Sequence, residues 1–316
     1  MIQNPVGAYL TILSLCFLAT SCTRDNSEIA QKLNNPKLNV GTLQVDEGNL
    51  WVSYPSFENA RATIPLWVDG VELQIALDTG WNTGNLSLTE EGSNKLKLSL
   101  GEPMGTDVST RNPMTNLGVY RQSMGHEIFI GGLTLENETL DVSKNVSNIL
   151  QSGKIDGIVG YKLLQYFTVT FDQVKYRVQL NLDCTVKASF QDILTLSPKP
   201  IFMYTLDGKT RKGSFDSGSP RGLGVNVNFN TESYEKGNNL QEFMSSAGGI
   251  SGGYTGLIKV ITSDKITIAG VDFFKQPVTL SPWVTEQGKD NFGLEFFMGS
   301  IVTLNYPQKK WKVTQG

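Results

Sequence analysis

The chain is written twice. Ile64–Leu88 reads IPLWVDGVELQIALDTGWNTGNLSL, and 138 positions later Phe202–Asn226 reads FMYTLDGKTRKGSFDSGSPRGLGVN. Asp69-Gly70 falls on Asp207-Gly208, Asp78-Thr79-Gly80 on Asp216-Ser217-Gly218, and Gly84 on Gly222. The same shift carries Ile128, Ile130 and Gly132 onto Ile266, Ile268 and Gly270. A shift of 133 then carries Gly160–Leu180 onto Gly293–Val313. Three blocks matching in order make an internal repeat, and a repeat governs every later assignment. It predicts two similar lobes, 50–182 and 183–316, each long enough to bury a core.

Each lobe reads as β-rich. Ala62–Val68 and Val71–Leu77 are strand-like runs around Asp69-Gly70, a strong two-residue hairpin signal. Phe167–Phe171 and Tyr176–Leu180 form a second alternating pair around Asp172-Gln173, and Ile301–Leu304 with Trp311–Val313 are their counterparts. The helix candidates are short, Tyr161–Tyr166 and Leu294–Met298. The expectation is a mostly β, mostly antiparallel fold with one short helix per lobe.

Asp78-Thr79-Gly80 and Asp216-Ser217-Gly218, with their surroundings, resemble the aspartic peptidase clan. Each lobe resembles a retropepsin-type domain: hairpin, apolar strand, D-[TS]-G, flap, then an apolar-apolar-Gly turn and a short helix. That turn is Ile158-Val159-Gly160 in the first lobe and Asn291-Phe292-Gly293 in the second. The resemblance covers nearly all of 60–316 and implies two β-barrel-type lobes in a pepsin-like organisation with a cleft between them. It implies an aspartic endopeptidase acting on a polypeptide substrate, with Asp78 and Asp216 catalytic.

The chemistry supports that pairing. Amide hydrolysis by water needs a base for the water and an acid for the carbonyl or the leaving amine. Two close carboxylates cannot both ionise, so they share a proton and can supply both. Gly80 and Gly218 would let each backbone turn tightly onto its carboxylate. Thr79 and Ser217 would hydrogen-bond across the axis, and Ser219 would donate to Asp216. Asp, Thr, Ser and Gly also form ordinary turns. Both triplets, however, follow strand-like ends and precede further strand-like stretches.

Two residues depart from the family pattern. Trp81 stands where a small residue is usual, so it either turns into the core or narrows the cleft beside Asp78. Its loss of a hydroxyl predicts a less well hydrogen-bonded Asp78. Asn291 is polar where an apolar residue is expected. The alternative function is therefore a catalytically inactive envelope module that binds extended peptides as an added strand. The flap regions are Val108–Gln122, with Asn112-Pro113 as a turn, and the glycine-rich Ser246–Val260. Tyr120 and Tyr254 lie in them at non-equivalent positions, and neither is given a role.

Composition narrows the choice further. One histidine and three cysteines leave too few ligands for an ordinary Cys/His zinc site, and no metal or cofactor is expected. His126 opens an Ile-Phe-Ile run and reads as a surface or strand-edge residue. A net charge of −3 offers no electrostatic footprint for nucleic acid. A monomer is expected.

The first residues read as an address. Ala8–Ala19 is an apolar or neutral run of 12 residues. A spanning helix needs about 20, so the run fits the hydrophobic part of a signal peptide covering 1–21. Ala19-Thr20-Ser21-Cys22 resembles a bacterial lipobox, which implies lipidation of Cys22 and a membrane held through that anchor. The expected location is the bacterial cell envelope, periplasmic or outer-membrane, with secretion as the alternative. Residues 22–49 read as a polar tether. Cys184 reads as a buried or linker residue.

Overall fold

A computed structural model describes residues 49–53, 62–105, 119–150, 155–182, 189–196, 199–219, 222–226, 228–236, 240–249, 252–281 and 289–316. The signal segment, Cys16, Cys22, Cys184, most of the tether and residues 108–118 of the first flap region lie outside them.

Among the described residues the fold is mostly β, built from three sheets. Thr63–Val68, Val71–Leu77, Gly157–Val159, Leu86–Leu88, Leu133–Ser143 and Tyr120–Ile130 close into a barrel in that order. A nine-stranded sheet is drawn from residues 201–293. Its order is Leu240–Gly249, Gly252–Thr262, Pro277–Ser281, Leu223–Asn226, Lys289–Gly293, Lys209–Asp216, Ile201–Leu206, Lys265–Ile268 and Val271–Phe274. The third sheet takes strands from both halves: Asn49–Ser53, Arg177–Asn181, Thr168–Asp172, Ser300–Asn305, Lys310–Gln315 and Gln191–Asp192. At its centre Thr168–Asp172 pairs antiparallel with Ser300–Asn305. Residue 49, expected in the tether, is the first residue of the edge strand.

Local chemistry accounts for the hairpins. Asp69 and Gly70 have φ of 50° and 80°, and Asp207 and Gly208 have 47° and 80°. Positive φ at both turn residues is the demand of the tight hairpin that matches strand twist, and Asp-Gly meets it. Each turn is tied the same way. The Asp69 carboxylate accepts the Glu127 N–H at 2.9 Å, and the Asp207 carboxylate accepts the Lys265 N–H at 2.8 Å. Along Thr63–Val68 every second side chain is buried, which sends Ile64, Leu66 and Val68 inward.

Strand pairing at the two D-[TS]-G triplets is also repeated. Ile75–Leu77 runs parallel to Gly157–Val159, and Lys212–Asp216 runs parallel to Lys289–Gly293. In each case a short antiparallel neighbour, Leu86–Leu88 or Leu223–Asn226, pairs on the other side. One apolar core runs through both halves, with Phe171 packed edge-on against Phe215 at 5.5 Å and Phe215 against Phe297 at 5.5 Å. Burying one such side chain is worth about 1.5–3 kcal/mol.

The expectation of one short helix per lobe needs correction. Tyr161–Leu164 is helical and Leu294–Phe297 is a 3-10 turn, close to the segments expected. Glu90–Leu96, Lys144–Leu150 and Glu232–Lys236 are helical as well. Glu90–Leu96 contains Gly92, a poor helix former, which hides it from a propensity reading. Packing explains that glycine. A Cβ there would lie 2.3 Å from the Asp156 carbonyl oxygen. The Thr89 hydroxyl accepts the Gly92 N–H at 2.9 Å, and Glu90 and Glu91 occupy the positive end of the helix.

Candidate active site

Asp78 follows the strand Val71–Leu77, and Asp216 closes the strand Lys209–Asp216. The two loops that begin there meet. The Thr79 N–H donates to Ser217 Oγ at 2.9 Å, and the Ser217 N–H donates to Thr79 Oγ1 at 2.9 Å. Each hydroxyl then donates onward across the junction, Thr79 Oγ1 to the Phe215 carbonyl and Ser217 Oγ to the Leu77 carbonyl, both at 2.9 Å. Thr79 and Ser217 are fully buried. All four groups would be costly to leave unpaired, so the network specifies one relative placement of the loops.

That placement brings the carboxylates together. Asp78 stands close enough to help hold the Asp216 carboxyl below its usual range. Gly80 N–H donates to Asp78 Oδ1 at 2.8 Å, and Asp216 accepts from the Gly218 backbone. The glycines are required by contact. A Cβ on Gly80 would stand 2.7 Å from Asp216 Oδ1, and one on Gly218 would stand 2.1 Å from Asp78 Oδ2. Each loop glycine thus lies against the other loop's carboxylate.

Trp81 turns into the core. It is 1% exposed and packs with Ala76, Val146, Leu150 and Ile158 in a small separate apolar cluster, with Tyr120 against its edge. Its Nε1–H donates to Ser87 Oγ at 3.0 Å. The indole therefore does not stand between the carboxylates. Gly160 permits this arrangement, since a Cβ there would lie 1.9 Å from the Trp81 carbonyl oxygen.

The sequence reading missed Lys199. Its Nζ lies 2.5 Å from Asp216 Oδ2 and 3.1 Å from Asn291 Oδ1. Ser214 Oγ also reaches Asn291 Oδ1, at 3.2 Å. Burial would raise the Asp216 carboxyl, but the Lys199 charge and hydrogen bond, with the bonds from Asp78 and Gly218, hold it below the usual range. Burial would likewise lower the Lys199 ammonium, and the charges of Asp216 and Asp78 raise it instead. Lys199 is a donor to Asp216 that the expectation for Ser219 did not include. The Ser219 backbone N–H donates to the Asp216 carbonyl at 3.0 Å. A cation sits on Asp216, a partner that the sequence reading did not include. The legible trace of this niche is Asn291, the polar residue where the pattern calls for an apolar one.

His126 is held at the surface by Asp69 and Ser123, away from this site, as a strand residue. The hairpin Leu240–Gly249 and Gly252–Thr262 is formed over the glycine-rich stretch, with Gly249 opposite Gly252. Among the described residues no group of three or more His, Cys, Asp or Glu side chains is placed to hold a metal ion. No described helix is long and apolar enough to cross a membrane.

No protein-family model matches this chain. No curated protein matches it either. Among solved structures, the crystal structure of a retropepsin-like aspartic protease from Rickettsia conorii is similar at 19% identity, with a TM-score of 0.31. The match covers 42% of this chain and 89% of that one.

Proposed function

We propose that this protein is an aspartic endopeptidase built from two retropepsin-like lobes, with Asp78 and Asp216 as its catalytic dyad. The observation that supports the reading is the reciprocal Thr79–Ser217 junction, with each loop glycine lying against the other loop's carboxylate. A turn with no further role has no need of two buried hydroxyls spent on aligning a second acidic turn.

The reaction follows from the pair. With one proton between them, the dyad presents one carboxylate and one carboxylic acid. The carboxylate takes a proton from water as its oxygen attacks the peptide carbonyl, and the acid protonates the carbonyl oxygen. Proton transfer to nitrogen then breaks the C–N bond. Thr79, Gly80, Ser217 and Gly218 hold the pair in place. The location of Trp81 in its own apolar cluster removes the feature that would have favoured an inactive peptide-binding module. Lipidation at Cys22 and residence in the cell envelope belong to the same reading and rest on Ala19-Thr20-Ser21-Cys22.

The test is cleavage of a diverse peptide mixture from pH 3 to 8 by the full-length protein, beside Asp78→Asn and Asp216→Asn. Cuts made by the native protein and absent from both variants are expected. Equal cleavage by folded variants would overturn the dyad.

A further inference from the structure

The surroundings of the two aspartates are repeats of each other in position and opposites in chemistry. Beside Asp78, Ala76 pairs with Ile158, and both pack on Trp81 with Val146 and Leu150. Beside Asp216, the register-equivalent pair is Ser214 with Asn291, and the residue equivalent to Trp81 is Ser219. The first copy closes this region with an apolar cluster. The second places polar side chains there, and Asn291 Oδ1 accepts from both the Lys199 ammonium and the Ser214 hydroxyl. Lys199 lies in the segment between the two repeats, directly before Pro200 and the strand Ile201–Leu206.

Resting on the peptidase reading above, we infer that Lys199 divides the labour of the dyad. It holds the negative charge on Asp216, which takes the proton of water, and leaves the shared proton on Asp78, which protonates the substrate carbonyl.

The geometry supports this directly. A positive charge 2.5 Å from one carboxylate oxygen favours the ionised form of that carboxylate over its neighbour. Asp216 is 15% exposed and Lys199 31%, so solvent screens the pair only in part. The buried Tyr306 hydroxyl, which feels the charge of Asp78, does not compete. Tyr306 is fully buried, and its hydroxyl finds no partner among the described residues. Burial first, then the charge of Asp78 and the neighbouring Tyr161, push that hydroxyl well above its usual range, so it stays neutral. Opposite surroundings for paired carboxylates are how one site assigns acid and base.

The steps balance under this assignment. The Asp216 carboxylate removes a proton from water while the water oxygen bonds to the carbonyl carbon. The Asp78 carboxylic acid gives its proton to the carbonyl oxygen, and a neutral gem-diol forms. On collapse, protonated Asp216 gives its proton to the nitrogen, and Asp78 takes one from a diol hydroxyl. The C–N pair leaves with the amine, and a carboxylic acid is released. Both aspartates return to their starting states. Lys199 acts through Asp216 and is a positioning residue.

The experiment follows two readouts in the full-length protein, its Lys199→Met variant and its Lys199→Arg variant. The first is carbon-13 NMR titration of the aspartate side-chain carboxyls, assigned by the resonance lost in Asp78→Asn and in Asp216→Asn. The second is the pH profile of kcat/KM on a cleaved peptide. In the native protein Asp216 is expected to ionise at lower pH than Asp78. Removing the cation should move the Asp216 titration and the acid limb of the profile upward by about one to three pH units, the size of an adjacent opposite charge. Lys199→Arg should restore both. If Lys199→Met does not fold, Lys199→Gln keeps a polar partner for Asn291 and should give the same upward shift. Asp78 ionising first, or an Asp216 titration unmoved in the neutral variants, overturns the inference. A Lys199-dependent Asp216 titration in a protein that cleaves nothing would uphold the placement of the proton and sink the peptidase reading alone.

Discussion

Thr79 and Ser217 each complete the other's loop. Every backbone N–H that one offers is taken by the hydroxyl of the other at 2.9 Å, and each hydroxyl donates to a carbonyl on the opposite strand end. The junction is a closed set of four bonds in which no member can be removed without orphaning another.

Removing one hydroxyl is therefore costly. Ser217→Ala leaves the buried Thr79 N–H and Leu77 carbonyl without partners, at about 1–3 kcal/mol for each orphaned group. Thr79→Ser keeps the hydroxyl and should lose little by comparison. Urea unfolding of Thr79→Ala, Ser217→Ala and the double variant should give a coupling energy of roughly 0.5–3 kcal/mol. Additive losses would mean that the two loops are held by something else.

The loop glycines predict a loss of activity larger than the loss of stability. Gly218→Ala places a Cβ where Asp78 Oδ2 now lies, 2.1 Å away. The carboxylate must shift, and a displacement of about 1 Å at the chemistry costs on the order of 100-fold. Cleavage by a folded Gly218→Ala protein at native rates would contradict the proposed role of the Asp78 carboxylate that this glycine approaches.

The Lys199–Asp216 pair makes a pH-dependent contribution to folding. The folded Asp216 carboxyl is lowered, so its contribution is present above the unfolded carboxylate value, about 3.9, and is lost as pH falls through the lower folded value. The folded Lys199 is raised, so its contribution is present below the unfolded ammonium value, about 10.4, and is lost as pH rises through the higher folded value. Between those limits Lys199→Met should be less stable by roughly 1–3 kcal/mol, given partial exposure of the pair. Unfolding measured from pH 2 to 8 should show the gap closing at the acid end. A gap independent of pH would mean that the lysine contributes packing alone.

Trp81 predicts the reverse of a catalytic residue. Trp81→Phe loses the bond to Ser87 and part of the packing against Val146, Leu150 and Ile158, so unfolding should cost about 1–3 kcal/mol less free energy. Cleavage by the folded variant should stay within a few-fold of native. A collapse of kcat without loss of stability would assign the indole to the reaction.

Much of this molecule is legible locally. Asp69-Gly70 and Asp207-Gly208 specify their hairpins because a two-residue turn with positive φ at both positions suits few other dipeptides. The helix Glu90–Leu96 is less legible. Its cap at Thr89 is local, but Gly92 argues against a helix until the Asp156 carbonyl is seen beside it. Asn291 is visible as a departure, but its partner lies 92 residues away.

The sequence by itself determined that Asp78 and Asp216 are counterparts, because alternation, turn dipeptides and the 138-residue repeat are all properties of the chain read in order. It also determined that Thr79 and Ser217 stand at matching places. Only the tertiary structure decided how the counterparts differ. Trp81 faces either a cleft or a core according to what packs behind it, and Ala76, Val146, Leu150 and Ile158 arrive from separate strands and a helix. Lys199 belongs to no motif, and its meaning comes from a carboxylate brought within 2.5 Å by the folding of a strand that starts ten residues later. Charge acts through space, so the pairing of Lys199 with Asp216 is a property of distances that no local reading contains.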